Sequence, residues 1–412
     1  MVRLSRENSF SFFLFLFIFL IPISQDLSIK ALIVSIVLSL FLLKNRKWKD
    51  ELFSNGWDLI LYFFVLVIGM LYTTDMISGW SVLEKNLSFV MMPILFSRIA
   101  MLDKTMLNRI GLVFTTGVLV ASLICLSYAF WRNIYQDFSG GYYYNEFTSI
   151  INSHPTYMAY YVCFSIIFLL YLVSYEMHGR LQRILITIVI LFLSFILMLT
   201  AGRSTFVSML MMASFFFLKL LFEPYPIKRK LQAISVTIVL LLLILFQSSY
   251  SPRILAGFLE GTEISAGKIQ GDTWERLVLW ESAINASSNI YIGVGTGDYT
   301  DVITNYYKAN NLPKFAESSF NAHNQFIQTF FSNGLIGLLV LLIILLRPIL
   351  MAAERQNIFG MLTFFPFLIY GISEVFLGRY QGLIFFVLLH QIFVKYLNQN
   401  LFKFSIKSFS AR

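Results

Sequence analysis

The chain has 412 residues, of which 58% are hydrophobic and only 13% charged, about half the charged share of a soluble domain. A water-soluble fold cannot hide that much apolar surface, so the composition excludes a soluble enzyme, a disordered chain and a secreted disulfide scaffold. The formal charge of +9 suggests nucleic acid only until its placement is read, because the basic residues sit between apolar runs, where they set membrane topology.

A helix crosses a hydrocarbon core of about 30 Å with roughly 20 apolar residues. Twelve runs qualify as candidates: 9–24, 27–43, 57–72, 86–100, 109–130, 156–175, 183–200, 204–222, 231–247, 324–346, 357–375 and 381–397. Arg3 and Arg6 precede the first run, which makes a signal peptide its rival reading. That run ends at Pro22 without a small-residue cleavage pattern and a second follows at once, so it is expected to be retained. Lys and Arg gather on one side: Arg3, Arg6, Lys44, Arg46, Lys47, Lys49, Arg98, Lys104, Arg180, Arg183, Lys228, Arg229, Lys230, Arg347, Arg355, Lys395, Lys403, Lys407 and Arg412. The opposite short loops carry little beyond Lys30, Lys85 and Arg379. The expected fold is an all-α polytopic membrane protein of about twelve transmembrane helices, with one large periplasmic helical loop and cytoplasmic N- and C-termini. Its parts are spans one to nine (1–247), the loop (248–322), spans ten to twelve (323–397) and a cytoplasmic tail (398–412).

Two outer segments exceed simple turns. One, about 131–155, is rich in tyrosine (Tyr142, Tyr143, Tyr144). The other, 248–322, is long enough for a small subdomain, and loops of that length with their own helical pattern are usually functional. Within it Asp272-Thr-Trp-Glu275 reads as a helix start, with an N-cap acid and a second acid three residues on. Trp274, Leu277, Val278, Glu281 and Ile284 then recur at helical spacing. A turn, Gly293-Val-Gly295-Thr-Gly297, precedes a second helical stretch at about 298–309. Cys125 and Cys163 both lie inside apolar runs and read as packing residues.

Residues able to do chemistry are few. Of four histidines, His178 and His390 read as packing or interface residues, while His154 and His323 each open a span on the outer side. A histidine there titrates near neutrality and serves either as a general base or as an interfacial group. Arg203, in Leu199-Thr-Ala-Gly-Arg203-Ser-Thr, stands between two apolar runs on the side where the charge bias disfavours it. An arginine near the hydrocarbon costs insertion free energy and needs a reason, such as an anion. Arg276, taken alone, reads as a solvated surface residue. Asp298 and Asp301 read as the first turn of a helix. Gly334 and Gly337, three apart, read as a small-residue face for close helix packing. Glu374 and Arg379, near the outer end of the eleventh run, could pair with each other or with a site. No His/Cys cluster, Asp-x-Asp or Walker-type loop occurs, so neither a metal nor a cofactor is expected.

The stretch His323-Asn-Gln-Phe-Ile-Gln-Thr-Phe-Phe-Ser-Asn-Gly334-Leu-Ile-Gly337 resembles the signature of the O-antigen ligase and polymerase superfamily: His, then Asn, nine residues, Gly, two residues, Gly. Thr200-Ala-Gly-Arg203 resembles the family's arginine two spans ahead of the large loop. Glu275-Arg276-x₃-Trp280 with the glycine turn resembles its arginine-bearing loop helix. The resemblance covers roughly 180–345 and implies a metal-independent glycosyltransferase at the outer face of the bacterial inner membrane. Its implied partners are a glycan on undecaprenyl pyrophosphate, an acceptor and membrane lipids, not nucleic acid. In the ligase branch the acceptor is a sugar of lipid A–core; in the polymerase branch it is another lipid-linked repeat unit. The resemblance also implies roles: Arg203 and Arg276 on the pyrophosphate, His323 as the base. Position adds His154, Tyr157 and Asn324 as further candidates beside Glu374 and Arg379. The His/Arg/Arg pattern favours the ligase branch, with the polymerase, a protein-glycosylating ligase and, from a different class, a lipid-linked glycan flippase or transporter as the alternatives. Transporters place polar residues near midspan, whereas here the candidates gather at one boundary.

Overall fold

The computed structural model describes residues 2–43, 45, 47–176, 179–200, 203–222, 227 and 272–399. The predicted span 231–247, His178, the cations Lys44, Arg46, Lys228, Arg229, Lys230, Lys403, Lys407 and Arg412, and the loop up to residue 271 lie outside the described residues. So do the side chains of Arg3, Arg6, Arg203 and Asp272.

Every regular element among the described residues is helical. In chain order they are α1 (Val2–Leu20), α2 (Gln25–Leu42), α3 (Trp48–Gly69), α4 (Met76–Asn86), α5 (Ser88–Arg98), α6 (Lys104–Gln136), α7 (Tyr144–Thr148), α8 (Pro155–Tyr171), α9 (Arg180–Thr200), α10 (Arg203–Phe222), α11 (Asp272–Asn285), α12 (Tyr299–Ala309), α13 (Pro313–Ser318), α14 (Gln325–Glu354), α15 (Ile358–Ser373) and α16 (Tyr380–Asn398). Each remaining predicted span falls on a helix. Seven of these are long and apolar enough to cross a membrane: α2, α3, α6, α8 with its continuation to Glu176, α9, α14 and α16. The predicted span 86–100 is different. Its helix, α5, has 11 residues and Pro93 inside it, which gives only about 17 Å at 1.5 Å per residue.

The described chain forms two compact units. One gathers Met1–Phe13, Leu32–Leu107 and Glu263–Arg412; the other gathers Leu14–Ala31 and Asn108–Thr262. In the second unit α8 packs on α9 and α7, and Phe114 of α6 meets Tyr161 and Phe164 of α8 edge-on, both at 5.5 Å. Cys125 and Cys163 are buried and unbridged, as read from the sequence.

In the first unit α3 packs on α5 and α14, α14 on α15, and α16 on α5. Apolar packing between membrane helices is weakly directional, and a polar network supplies register. Asp58 of α3 accepts from Arg347 Nη1 of α14 at 2.6 Å and meets His390 Nε2 of α16 at 2.8 Å. Asp58 and His390 are fully buried. One to two turns away, Lys395 pairs with Glu51, and Gln391 and Asn398 bond to Asn55. Two cations that read as topology signals, Arg347 and Lys395, are therefore held in ion pairs.

The loop helices α11, α12 and α13 close over the start of α14 around Leu279, Ala283, Val294, Ile303, Tyr307, Phe315 and Phe331. Burying each of the larger side chains stabilises this subdomain by roughly 1.5–3 kcal/mol. Burial pushes the Tyr307 phenol up, so it stays a neutral donor to the Phe320 carbonyl at 3.3 Å. The face of α11 matches the one read from spacing only in part: Trp274 and Val278 pack against the core and Leu279, Ser282 and Ala283 are buried, whereas Leu277 and Ile284 are exposed. The spacing template counted large apolar residues, but the subdomain core is completed by small ones.

The main departure from regular helix lies in α14. Gly334 has φ 63 and ψ −162, so the helix breaks there. The turn after α11 fills the break with backbone: Leu335 N–H donates to Ile290 O at 2.7 Å and Ile336 N–H to Tyr291 O at 3.2 Å. In return Val294 and Gly295 N–H donate to Phe331 O and Ser332 O, each at 3.0 Å. The expectation for Gly334 is thereby corrected. It does not lie on a helix–helix face; it occupies a conformation that only glycine adopts readily, against the peptide group of Tyr291. Asp298 is likewise more than a first-turn acid. It is buried at the N-cap of α12 yet accepts from Thr74 N–H and Asp75 N–H of the α3–α4 connection at 2.7–2.9 Å.

Candidate functional site

His323 sits between α13 and α14 with φ 42, a left-handed conformation rare for a residue with a side chain and more frequent for His, Asn and Asp. The backbone is held there from both sides. His323 N–H donates to Asn321 Oδ1 at 2.9 Å, and Ala322 N–H donates to Gln328 Oε1 at 3.2 Å. A chain of ring contacts, Tyr307–Phe315, Phe315–Phe320 and Phe320–His323 at 5.7, 6.2 and 6.0 Å, links the imidazole to the subdomain core. The next residue, Asn324, caps α14: its Oδ1 accepts from Phe326 N–H and Ile327 N–H at 2.9 and 3.1 Å. This occupies its side chain with two of the helix's otherwise unpaired donors.

Two consecutive residues at the end of α15 bring the rest together. Glu374 Oε2 lies 3.9 Å from His323 Nδ1, with the imidazole 33% and the carboxylate 19% exposed. That separation is an electrostatic contact, wider than a hydrogen bond, and catalytic contacts often tighten only with substrate bound. Arg276 Nη1 of α11 donates to the carbonyl of Ser373 at 3.1 Å. Its sequence neighbour Glu275 is engaged by Lys314, and among the described residues no carboxylate pairs with Arg276. Its charge remains available to an anion. Gln325 then fixes the segment beyond: its Oε1 accepts from Leu377 N–H at 2.9 Å, and its Nε2 donates to Thr329 Oγ1 at 3.0 Å. Sequence reading passed over Gln325, although its place beside the His-Asn pair was the available signal. Arg379 is exposed at the N-cap of α16 and takes part in no ion pair among the described residues.

Residues 188–342 match the family model described as O-antigen ligase. This part of the chain is similar to the O-antigen ligase family. The matched range contains Arg203, Arg276 and His323 together with both glycines of the signature. An uncharacterised protein of Haemophilus influenzae is 26% identical over 122 residues, 27% of this chain and 31% of that relative's length; the chain thus spans about a third of that relative.

The other candidates lie in the second unit. Arg203 is the first residue of α10. His154 caps α8, its Nδ1 accepting from Thr156 N–H at 3.4 Å, and its ring lies 5.9 Å from Tyr144 and 6.2 Å from Tyr157. Tyr157 is buried in α8. These positions give His154 and Tyr157 parts in the local structure of the tyrosine-rich segment.

Proposed function

We propose that this protein is a glycosyltransferase at the periplasmic face of the inner membrane, transferring a glycan from undecaprenyl pyrophosphate to a sugar of lipid A–core without a metal ion. The observation that carries the proposal is the junction at Ser373-Glu374, where a carboxylate meets His323 while the adjacent carbonyl holds an arginine whose charge no described carboxylate neutralises.

In this reading the acceptor hydroxyl attacks the anomeric carbon and the bond from that carbon to the pyrophosphate oxygen breaks. The electron pair leaves on undecaprenyl pyrophosphate, and the hydroxyl proton passes to His323. Glu374, on the Nδ1 side of the ring, stabilises the imidazolium that forms and leaves Nε2 for the incoming proton. Arg276 offers a planar fork of permanently charged donors to the leaving pyrophosphate, whose charge grows in the transition state. By family resemblance Arg203, the first residue of α10, is assigned to pyrophosphate binding. Direct displacement inverts the anomeric centre. Asn324 acts through the α14 cap, and Arg379 is assigned no step.

The test is reconstitution with undecaprenyl-pyrophosphate glycan and lipid A–core in the presence of EDTA. The wild type is expected to transfer glycan to lipid A–core. His323→Ala, verified as folded by its elution and thermal transition, is expected to lose about 10²–10⁴-fold in rate or more. Joining of donor units to one another instead would assign the polymerase branch. No product from folded wild type with suitable native substrates would overturn the transferase reading and make flipping of the lipid-linked glycan the next assay.

A further inference from the structure

The long outer segment reads as extramembrane throughout, yet one of its turns is fastened to the side of a membrane-crossing helix. α14 has 30 residues, about 45 Å at 1.5 Å per residue, whereas the hydrocarbon core is about 30 Å thick. Roughly 15 Å of it must lie outside. The break at Gly334 divides the helix at that ratio: the arm from Leu335 to Glu354 alone is about 30 Å long, and the arm from Gln325 to Asn333 carries the subdomain on Phe331. The arm beyond the break is thus by itself long enough to cross the hydrocarbon.

Ile290 and Tyr291 are hydrogen-bonded through their carbonyls to Leu335 and Ile336, the first two residues past the break. Their side chains are 62% and 68% exposed. They continue a stripe of exposed apolar residues down α14, namely Leu335, Ile336, Leu339, Ile343, Leu346 and Leu350, which in a crossing helix faces lipid. Tyr72 Oη donates to Ile292 O at 2.6 Å, fixing the turn at the end of α3 beside Leu71, itself highly exposed. No charged residue occurs between Glu281 and Asp298, so nothing in this stretch opposes immersion. Tyrosine with an apolar neighbour is the composition of a membrane–water belt.

We propose that the turn carrying Ile290 and Tyr291 dips into the outer leaflet and contacts phospholipid acyl chains, anchoring the outer subdomain to the bilayer surface. The inference rests on α14 crossing the membrane and stands apart from the chemistry assigned to His323.

Two measurements on the full chain test it. In vesicles of phosphatidylethanolamine and phosphatidylglycerol, nitroxide labels at Ile290→Cys and Tyr291→Cys are compared with Leu339→Cys on the lipid stripe and Lys308→Cys on exposed α12. The unmutated chain, whose Cys125 and Cys163 are buried, gives the background. Relaxation at 290 and 291 is expected to respond to oxygen over a water-soluble nickel chelate, as at 339. A nickel-dominated response like that at 308 overturns the proposal. Should the variants fail to fold, wild-type protein is photolysed with a diazirine-bearing acyl-chain phospholipid and the adducts are mapped by mass spectrometry. Adducts on the peptide containing Ile290-Tyr291 support the dip; adducts on 335–350 without any on that peptide overturn it.

Discussion

Gly334 of α14 stands against the peptide group of Tyr291, so that a helix long and apolar enough to cross a membrane gives up its regularity to accept the backbone of a loop. Non-helical backbone near hydrocarbon is tolerated only where other groups satisfy it, and four hydrogen bonds between 290–295 and 331–336 do so here. The Gly334→Ala variant is expected to lose stability by several kcal/mol, because left-handed strain and a backbone collision add. Thermal unfolding in detergent should show a lowered Tm or little folded protein. A Tm unchanged from wild type would mean that the break does not require glycine.

Asn324 belongs to the family signature, yet its side chain is committed to capping α14. Removing a cap costs about 0.5–2 kcal/mol, and Ser or Asp substitutes for it. Asn324→Asp and Asn324→Ser should therefore keep both Tm and transfer activity near wild type, while Asn324→Ala lowers Tm. Loss of activity in folded Asn324→Ser would instead assign the amide a contact with substrate.

Glu374 faces His323 across 3.9 Å. Its replacement by Gln removes the charge and preserves the shape. Transfer is expected to slow by less than the about 10²–10⁴-fold loss predicted for His323→Ala, with KM little changed. An unaltered kcat would leave Glu374 without a part in the reaction.

Asp58 bridges Arg347 and His390 in the interior of three packed helices. Asp58→Ala leaves Arg347 without its carboxylate, and breaking a buried pair from one side costs about 3–5 kcal/mol. The double variant Asp58→Ala with Arg347→Met removes both charges and is expected to recover part of that loss. Unfolding in detergent measures both; equal Tm values for the single and double variants would show that the pair is not coupled.

Much of the fold was legible because hydrophobic runs of about 20 residues admit few structures in lipid. Span 156–175 lies on α8 and span 381–397 on α16 for that reason. At 86–100 the helix, α5, has only 11 residues with Pro93 inside it, short of the roughly 20 that a span needs. Spacing also placed only part of the α11 face, Trp274 and Val278, since Ser282 and Ala283 carry too little hydrophobicity to outweigh Leu277 and Ile284 in a pattern. His390 read as a packing residue because no local spacing connects it to Asp58, more than three hundred positions away. Glu374 was visible as an acid near a span end, but its partner was left open between Arg379 and the site.

The sequence by itself determined the helical membrane class, the places of most helices and the resemblance to a family, because those depend on composition and on short signatures read along the chain. Only the tertiary structure decided which carboxylate meets His323, that Arg276 rests on Ser373, and that Gly334 opens α14 to the turn at Tyr291. These are contacts between residues far apart in the chain, fixed by how α11, α14 and α15 pack, and neither periodicity nor a motif carries distance between separate segments.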